Sequence, residues 1–309
     1  MRALNRHALS RAAFTRHVFF PAAATKSADP FQTITEQKEE VVSKLAIALE
    51  CRAAEPAQIA LRSELLGSLS GAVLEVGTGT GAVARTVAAN PAVSSVVGID
   101  PSKTFLEKAC ALGGPKEKYV EAYSTDLTGA VAAESIDHAL LWLTLGHIPR
   151  EAHEATFREL HRILKPGGTL HVFDNDPCSW DFRMHPHDPL NAPVQALIDF
   201  FAEDRHLMRR VPTALGSHGF LAQPLRIHTI LDTSAESYGY KFVMLRALEM
   251  FREIAGPKIV GAPLIDAMKM EALRRVNAGE FQMALSYAYI RAERARQPVG
   301  AARVPLRGE

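Results

Sequence analysis

The sequence predicts an α/β fold: a doubly wound, mostly parallel sheet with extra helices ahead of its first strand and a helical insertion or cap behind its fifth. Three observations lead there. A short apolar run, VLEV at 73–76, breaks into glycines at alternate positions, Gly77, Gly79 and Gly81, and then into a helix-compatible stretch. Strand-like and helix-like patterns alternate from that point to Asp174, as parallel strands joined by crossover helices require. An apolar and aromatic run near the C-terminus, EFQMALSYAYIRAER, reads as a closing strand.

The elements follow in chain order. Residues 33–69 give two helices: Val41, Val42, Leu45, Ala46 and Leu49 share one face, and Ile59, Leu61, Leu65 and Leu66 follow the Glu55-Pro56 break. The run at 73–76 is too short for an ordinary helix and suits a strand buried on both faces. After Gly81 the chain continues without a breaker to Asn90-Pro91, so a helix starts at the glycines. SSVVGIDPS gives a second strand over 95–99 that ends in Asp100, with a helix over 102–112. KYVEAYSTD gives a third strand ending near Ser124 and Asp126, and SIDHALLWL a fourth. A helix over 150–164 leads through LKPGG into TLHVFD, the fifth. Beyond Asp174 the rhythm breaks into a polar stretch, DPCSWDFRMHPHDPLNAP, and a helical segment over 194–205. A short helix ending at Gly219-Phe220, the run PLRIHTIL and two long helical patterns over 238–254 and 263–277 complete the chain.

Composition narrows the class of function. With 35 Lys and Arg against 34 Asp and Glu the formal charge is +1, which gives no electrostatic footprint for nucleic acid or an anionic membrane. A small-molecule ligand is expected instead. Cys51, Cys110 and Cys178 are far apart and lack metal-ligand spacing, so neither a disulfide framework nor a metal site is expected. No apolar run reaches the length of a transmembrane helix. Oligomeric state is not legible.

A strand, a glycine turn and a helix start form a phosphate- or nucleotide-binding corner, because the backbone must turn tightly and approach a ligand where a Cβ would intrude. A P-loop is excluded, since no Lys-Ser or Lys-Thr follows the last glycine. Gly77-x-Gly79-x-x-Ala82 also satisfies the dinucleotide fingerprint, so the turn alone leaves a nicotinamide-dependent oxidoreductase open.

Four stretches in order, LEVGTGTG, VVGIDPS, STDL and LKPGGTLHVFD, make the chain resemble the class I S-adenosylmethionine-dependent methyltransferases, in the broad small-molecule group. The resemblance covers roughly 36–294. It implies a seven-stranded, Rossmann-like sheet, S-adenosyl-L-methionine as cofactor, and methyl transfer to an O, N, S or C nucleophile of a small molecule. The chain departs from the common pattern at Thr78, whose side chain the resemblance does not require at the ligand. A methyltransferase-like scaffold subunit without catalysis is the non-enzymatic reading.

The resemblance also implies roles. Gly77, Gly79 and Gly81 admit the amino-acid and ribose part of the cofactor. Glu75 meets its ammonium group, and Asp100 accepts both ribose hydroxyls, with Pro101 and Ser102 beside it. Asp126 and Leu127 flank the adenine. Trp142, Thr144 and His147 follow the fourth strand, at the carboxyl edge where ligands of open sheets sit; Trp142 is expected at the cofactor and Thr144 and His147 at the acceptor, with His147 the candidate general base. Asp174, Asp176, Trp180, His185 and His187 follow the fifth strand, of which Asp176 and Trp180 are expected at the acceptor. In-line methyl transfer asks mainly for alignment in a dry site, so a dedicated base is not required.

In domain terms, 29–296 is expected to form the methyltransferase domain, its cofactor core at 70–175 and its substrate-side helices at 30–69 and 177–280. Residues 1–28 carry Arg2, Arg6, Arg11, Arg16 and Lys26 and no acid before Asp29, which predicts a transit peptide for the mitochondrion, with a plastid signal or a basic tail on a cytoplasmic protein as alternatives. Residues 297–309 read as a disordered tail.

Overall fold

The structure is a computed structural model, and it describes residues 29–179, 181, 188, 204–247, 249 and 262–296. The expectations for the N-terminal 28 residues, for Trp180, His185 and His187, and for the tail from 297 fall outside the described residues, as does most of the helical segment at 194–205.

Two compact units divide the chain. The first gathers the described residues up to Leu65, those of Asn175–Leu207, and Ile227–Ala288; the second gathers Leu66–Asp174, Met208–Arg226 and the described residues from Tyr289 onward.

The second unit holds the alternating strands and helices. They run β1 (Gly71–Val76), α3 (Ala82–Ala88), β2 (Val93–Asp100), α4 (Lys103–Leu112), β3 (Glu117–Glu121), β4 (Ile136–Trp142), α5 (His153–Ile163) and β5 (Leu164–Asn175). α6 (Leu207–Ser217), β6 (Phe220–Ala222) and the last part of β8 (Met283–Arg294) complete it. The strand order is β3-β2-β1-β4-β5-β8-β6, with β7 (Arg226–Asp232) also paired to β8. β1 pairs in parallel with both β2 and β4, and β2 with β3 and β4 with β5 are parallel as well. The chain therefore winds outward from β1 to β3 and then restarts at β4 on the other side. That reversal creates a switch point, and the carboxyl ends of β1 and β4 border it.

These elements form because the sequence offers each a buried side. Val73, Leu74, Val96, Ile99, Leu140, Leu141 and Val172 are almost wholly buried in the central strands. Phe105, Leu106 and Ala109 of α4 and Phe157, Leu160 and Ile163 of α5 present the helical faces that cover them. Each buried aliphatic or aromatic side chain contributes on the order of 1.5–3 kcal/mol relative to exposure.

The first unit contains α1 (Glu39–Ala53), α2 (Pro56–Leu66, up to Leu65), most of β7, a π-helix over Gly239–Ala247, α7 (Ala262–Ala278) and the start of β8. Within it, Arg275 of α7 makes a bidentate pair with Asp188, at 2.8 and 2.6 Å, both side chains buried.

Three expectations about the sheet are corrected. Among the described residues it has eight strands, not seven. The additional one is β6, three residues pairing antiparallel with β8, too short to leave a period in the sequence. β3 ends at Glu121, short of Ser124 and Asp126; the chain then turns, with Asp126 N–H donating to the Tyr123 carbonyl at 3.1 Å and the Asp126 side chain accepting from the Thr128 backbone and hydroxyl at 3.1 and 2.6 Å. LKPGG belongs to β5 as a bulge: Ile136 faces Leu164 while His138 faces Thr169, so Lys165–Gly168 stand opposite a single residue.

Candidate functional site

The glycine turn follows β1 directly. Gly77, Gly79 and Gly81 all have positive φ, at 68, 53 and 77°, so the turn is left-handed at each alternate residue. At Gly77 a Cβ would lie 2.3 Å from the Thr144 methyl, and at Gly81 it would lie 2.4 Å from the Tyr119 hydroxyl. Both positions are therefore closed to other residues by conformation and by space. The turn is tied to its neighbours by backbone bonds. Thr78 N–H donates to the Ile99 carbonyl at 2.9 Å and Gly81 N–H to the Thr78 carbonyl at 2.8 Å, while the Arg85 guanidinium donates to the Thr80 carbonyl at 2.7 Å.

Two acids stand at the adjacent strand ends. Glu75 is 2 % exposed, and its Oε2 accepts from the Thr78 hydroxyl at 2.7 Å. Asp100 is also buried, with Oδ2 accepting from Gly79 N–H and Oδ1 from Ser102 N–H, both at 2.9 Å. Burial pushes the Asp100 carboxyl up from 3.8 to about 6, although the two amides pull the other way. Ser102, the N-cap of α4, accepts from Phe105 N–H, and Pro101 is half-buried between acid and cap.

One polar atom of the turn is orphaned. Thr80 is 1 % exposed, and its hydroxyl oxygen bonds to nothing among the described residues. A buried hydroxyl left unpaired costs roughly 1–3 kcal/mol, which a ligand in the turn would recover.

Asp126 is exposed and engaged by Thr128, which holds its carboxyl below the ordinary range. Leu127 is fully buried, and its N–H donates to the Glu159 carboxylate at 2.8 Å.

At the end of β4, Trp142 is buried and stacks on its β5 partner Phe173, ring centres 4.1 Å apart. Leu143 then takes φ of 55°, rare for a non-glycine residue, and its N–H donates to the Phe173 carbonyl. This sharp turn sends Thr144 back over Gly77, with its hydroxyl 3.2 Å from the Trp142 carbonyl. His147 is half-buried in a short 3₁₀ turn, its N–H bonded to the Thr144 carbonyl at 2.9 Å, and Gly146 N–H donates to Asp174 at 2.9 Å. The structure thus brings Glu75, the three glycines, Asp100, Thr144 and Trp142 to the switch point of one unit. Asp176 lies in the other unit, buried, accepting from the Ser179 hydroxyl and donating its N–H to Ser286. Sequence reasoning missed Thr80, Tyr119 and the strained Leu143; only the GTGTG repeat itself pointed toward the first.

Residues 73–168 match the methyltransferase-domain family. The chain is 30% identical over 207 residues to the ubiquinone/menaquinone biosynthesis C-methyltransferase UbiE of Syntrophotalea carbinolica, spanning 66% of this chain and 78% of that protein. Among solved structures it is similar to the YcgJ protein of Bacillus subtilis, at 15% identity and a TM-score of 0.49 over 77% of this chain and 98% of that one. It is also similar to phosphoethanolamine N-methyltransferase 2 of Haemonchus contortus, solved with S-adenosyl-L-methionine, at 15% identity and a TM-score of 0.44 over 78% and 53%.

Proposed function

The chain belongs to the class I S-adenosylmethionine-dependent methyltransferases, and we propose that it methylates a small molecule, with a carbon nucleophile as the first acceptor class to test. The cofactor supplies an electrophilic methyl group, and the protein's contribution is to hold donor and acceptor in line away from water.

The residues present fit the cofactor. A left-handed glycine turn that a Cβ would obstruct, an orphaned hydroxyl on Thr80 and buried carboxylates on Glu75 and Asp100 together offer a complement to an amino acid joined to a ribose. The observation that carries the reading is the bond from Gly79 N–H to Asp100 Oδ2, which makes turn and acid one unit. In this reading Glu75 meets the ammonium group and Asp100 the ribose hydroxyls, while Asp126 and Leu127 flank the adenine. Trp142 and Thr144 wall the methyl-transfer position, and His147 is placed to take a proton from the acceptor. UbiE of Syntrophotalea carbinolica is named as a C-methyltransferase, and that supports a carbon acceptor here.

The test is to supply isotope-labelled S-adenosyl-L-methionine with a metabolite extract, a protein fraction and a nucleic-acid fraction. Label is expected in the extractable small molecules, with the methyl carbon resonance reporting attachment to carbon. Label confined to protein or nucleic acid would overturn the small-molecule reading, and attachment to O, N or S would overturn the carbon one.

A further inference from the structure

We propose that Thr78 is the positioning residue of the cofactor site, holding Glu75 in the orientation that receives the cofactor's ammonium group; this rests on the reading of Glu75 given above. Three features of the structure support it. The Thr78 hydroxyl donates to Glu75 Oε2 at 2.7 Å, and both residues are buried, at 5 and 2 % exposure. A carboxylate at such depth depends on its donors for both charge and direction. The Thr78 backbone is fixed on both sides, its N–H on the Ile99 carbonyl at 2.9 Å and its carbonyl on Gly81 N–H at 2.8 Å, so the side chain projects from a fixed base.

Space then fixes the rotamer. Glu75 of β1 faces Gly98 of β2, and Gly98 faces Tyr119 of β3. A Cβ on Gly98 would lie 2.7 Å from the Thr78 hydroxyl, 2.9 Å from its methyl and 2.7 Å from Tyr119 Cδ1. The bare α-carbon of Gly98 is therefore the floor on which the Thr78 side chain stands, beside the acid in the same cross-strand row. A β-branched residue there has few rotamers, and the allowed one aims the hydroxyl at the carboxylate. Serine retains the donor with more rotational freedom; valine retains the shape without it.

The experiment compares two ligands by calorimetry on the full chain. S-adenosylhomocysteine carries the amino-acid moiety, and 5′-methylthioadenosine carries the adenosine and sulfur without it. Thr78→Val is expected to weaken S-adenosylhomocysteine by roughly tenfold to a hundredfold, the range of hydrogen bonds to charged groups, and to leave 5′-methylthioadenosine unchanged. Thr78→Ser should restore most of the loss. Thr78→Ala reads the same comparison without setting a methyl group against the carboxylate, should the valine variant not fold. Equal weakening of both ligands, or of neither, overturns the proposal, since a general role in the turn would not distinguish them. Glu75→Gln separates the two failures. If it abolishes the preference for the amino-acid ligand and the Thr78 variants do not, the positioning proposal alone falls. If Glu75→Gln leaves the preference intact, the reading of Glu75 falls and takes the proposal with it.

Discussion

Gly79 N–H donates to Asp100 Oδ2 at 2.9 Å, joining the glycine turn after β1 to the acid that ends β2. The Gly79 amide is one of two, with that of Ser102, that donate to a carboxylate held out of water. Burial outweighs the two amides and leaves Asp100 harder to ionise than an ordinary aspartate, with a carboxyl at about 6.

Cofactor affinity should therefore depend on pH. The ionised carboxylate is the form that accepts ribose hydroxyls, so S-adenosylhomocysteine binding should weaken as pH falls below about 6, approaching tenfold per unit. The effect on folding has the opposite sign. The folded carboxyl binds its proton more tightly than the unfolded one, at 3.8, so Asp100 favours the fold below 3.8 and loses that contribution as pH rises through about 6. Calorimetric titration across this range checks the first claim, and Asp100→Ala should remove the pH dependence together with most of the affinity.

A buried chain of polar groups should make the stability of the second unit depend on pH. His138 Nδ1 meets the Thr169 hydroxyl at 2.7 Å, Thr169 meets His171 Nε2 at 2.9 Å, and His171 Nδ1 meets the Tyr289 hydroxyl at 2.8 Å. Burial pushes the His171 imidazole down from 6.5 to about 3, with His138 and Arg291 adding to it. The unfolded imidazole takes up a proton near 6.5 and the folded one does not. The His171 contribution is thus complete above 6.5 and is lost toward 3, by up to about 1.4 kcal/mol per pH unit, and between 3.8 and about 6 the Asp100 contribution opposes it. Thermal melts of Asp100→Ala against pH, where the opposing carboxyl is gone, read the slope. Thr169→Val should cost about 1–3 kcal/mol at neutral pH by leaving two imidazoles short of a partner.

Gly77→Ala should abolish cofactor binding and destabilise the fold, because the added methyl meets Thr144 at 2.3 Å on a backbone with φ of 68°. Strain of this kind costs on the order of 1–2 kcal/mol before any clash. Combining it with Thr144→Ala should recover the clash and not the strain, which denaturation midpoints of the two variants would show.

In the first unit, Arg275→Met should cost about 3–5 kcal/mol, since it leaves the buried Asp188 carboxylate without its bidentate partner. Replacing both residues by apolar ones should recover most of the loss in urea denaturation. A small effect of the single change would contradict the dependence of Asp188 on Arg275.

For residues 1–28 we propose an import signal for the mitochondrion. A fluorescent fusion carrying 1–40 is expected in that organelle, and a cytosolic signal would contradict the proposal.

How much of this was legible in the sequence depends on the range of the forces involved. The glycine turn and the acids ending β1 and β2 were legible because each is fixed by residues close along the chain. The end of β3 was misplaced because the chain turns over 123–126 through a backbone bond from Asp126 N–H to the Tyr123 carbonyl, which leaves no period in the sequence. The His171–Tyr289 bond joins residues 118 positions apart, and no local pattern announces it. Thr80 reads as one more small residue in the turn; only burial reveals that its hydroxyl has nothing to bond among the described residues.

Titrating the purified protein with S-adenosylhomocysteine and, separately, with NADH shows whether the turn and its two acids hold a sulfonium cofactor. Binding of S-adenosylhomocysteine alone, weakened by roughly 1.5–3 kcal/mol in Asp100→Ala, is the predicted result. Tight binding of NADH with none of S-adenosylhomocysteine would contradict it.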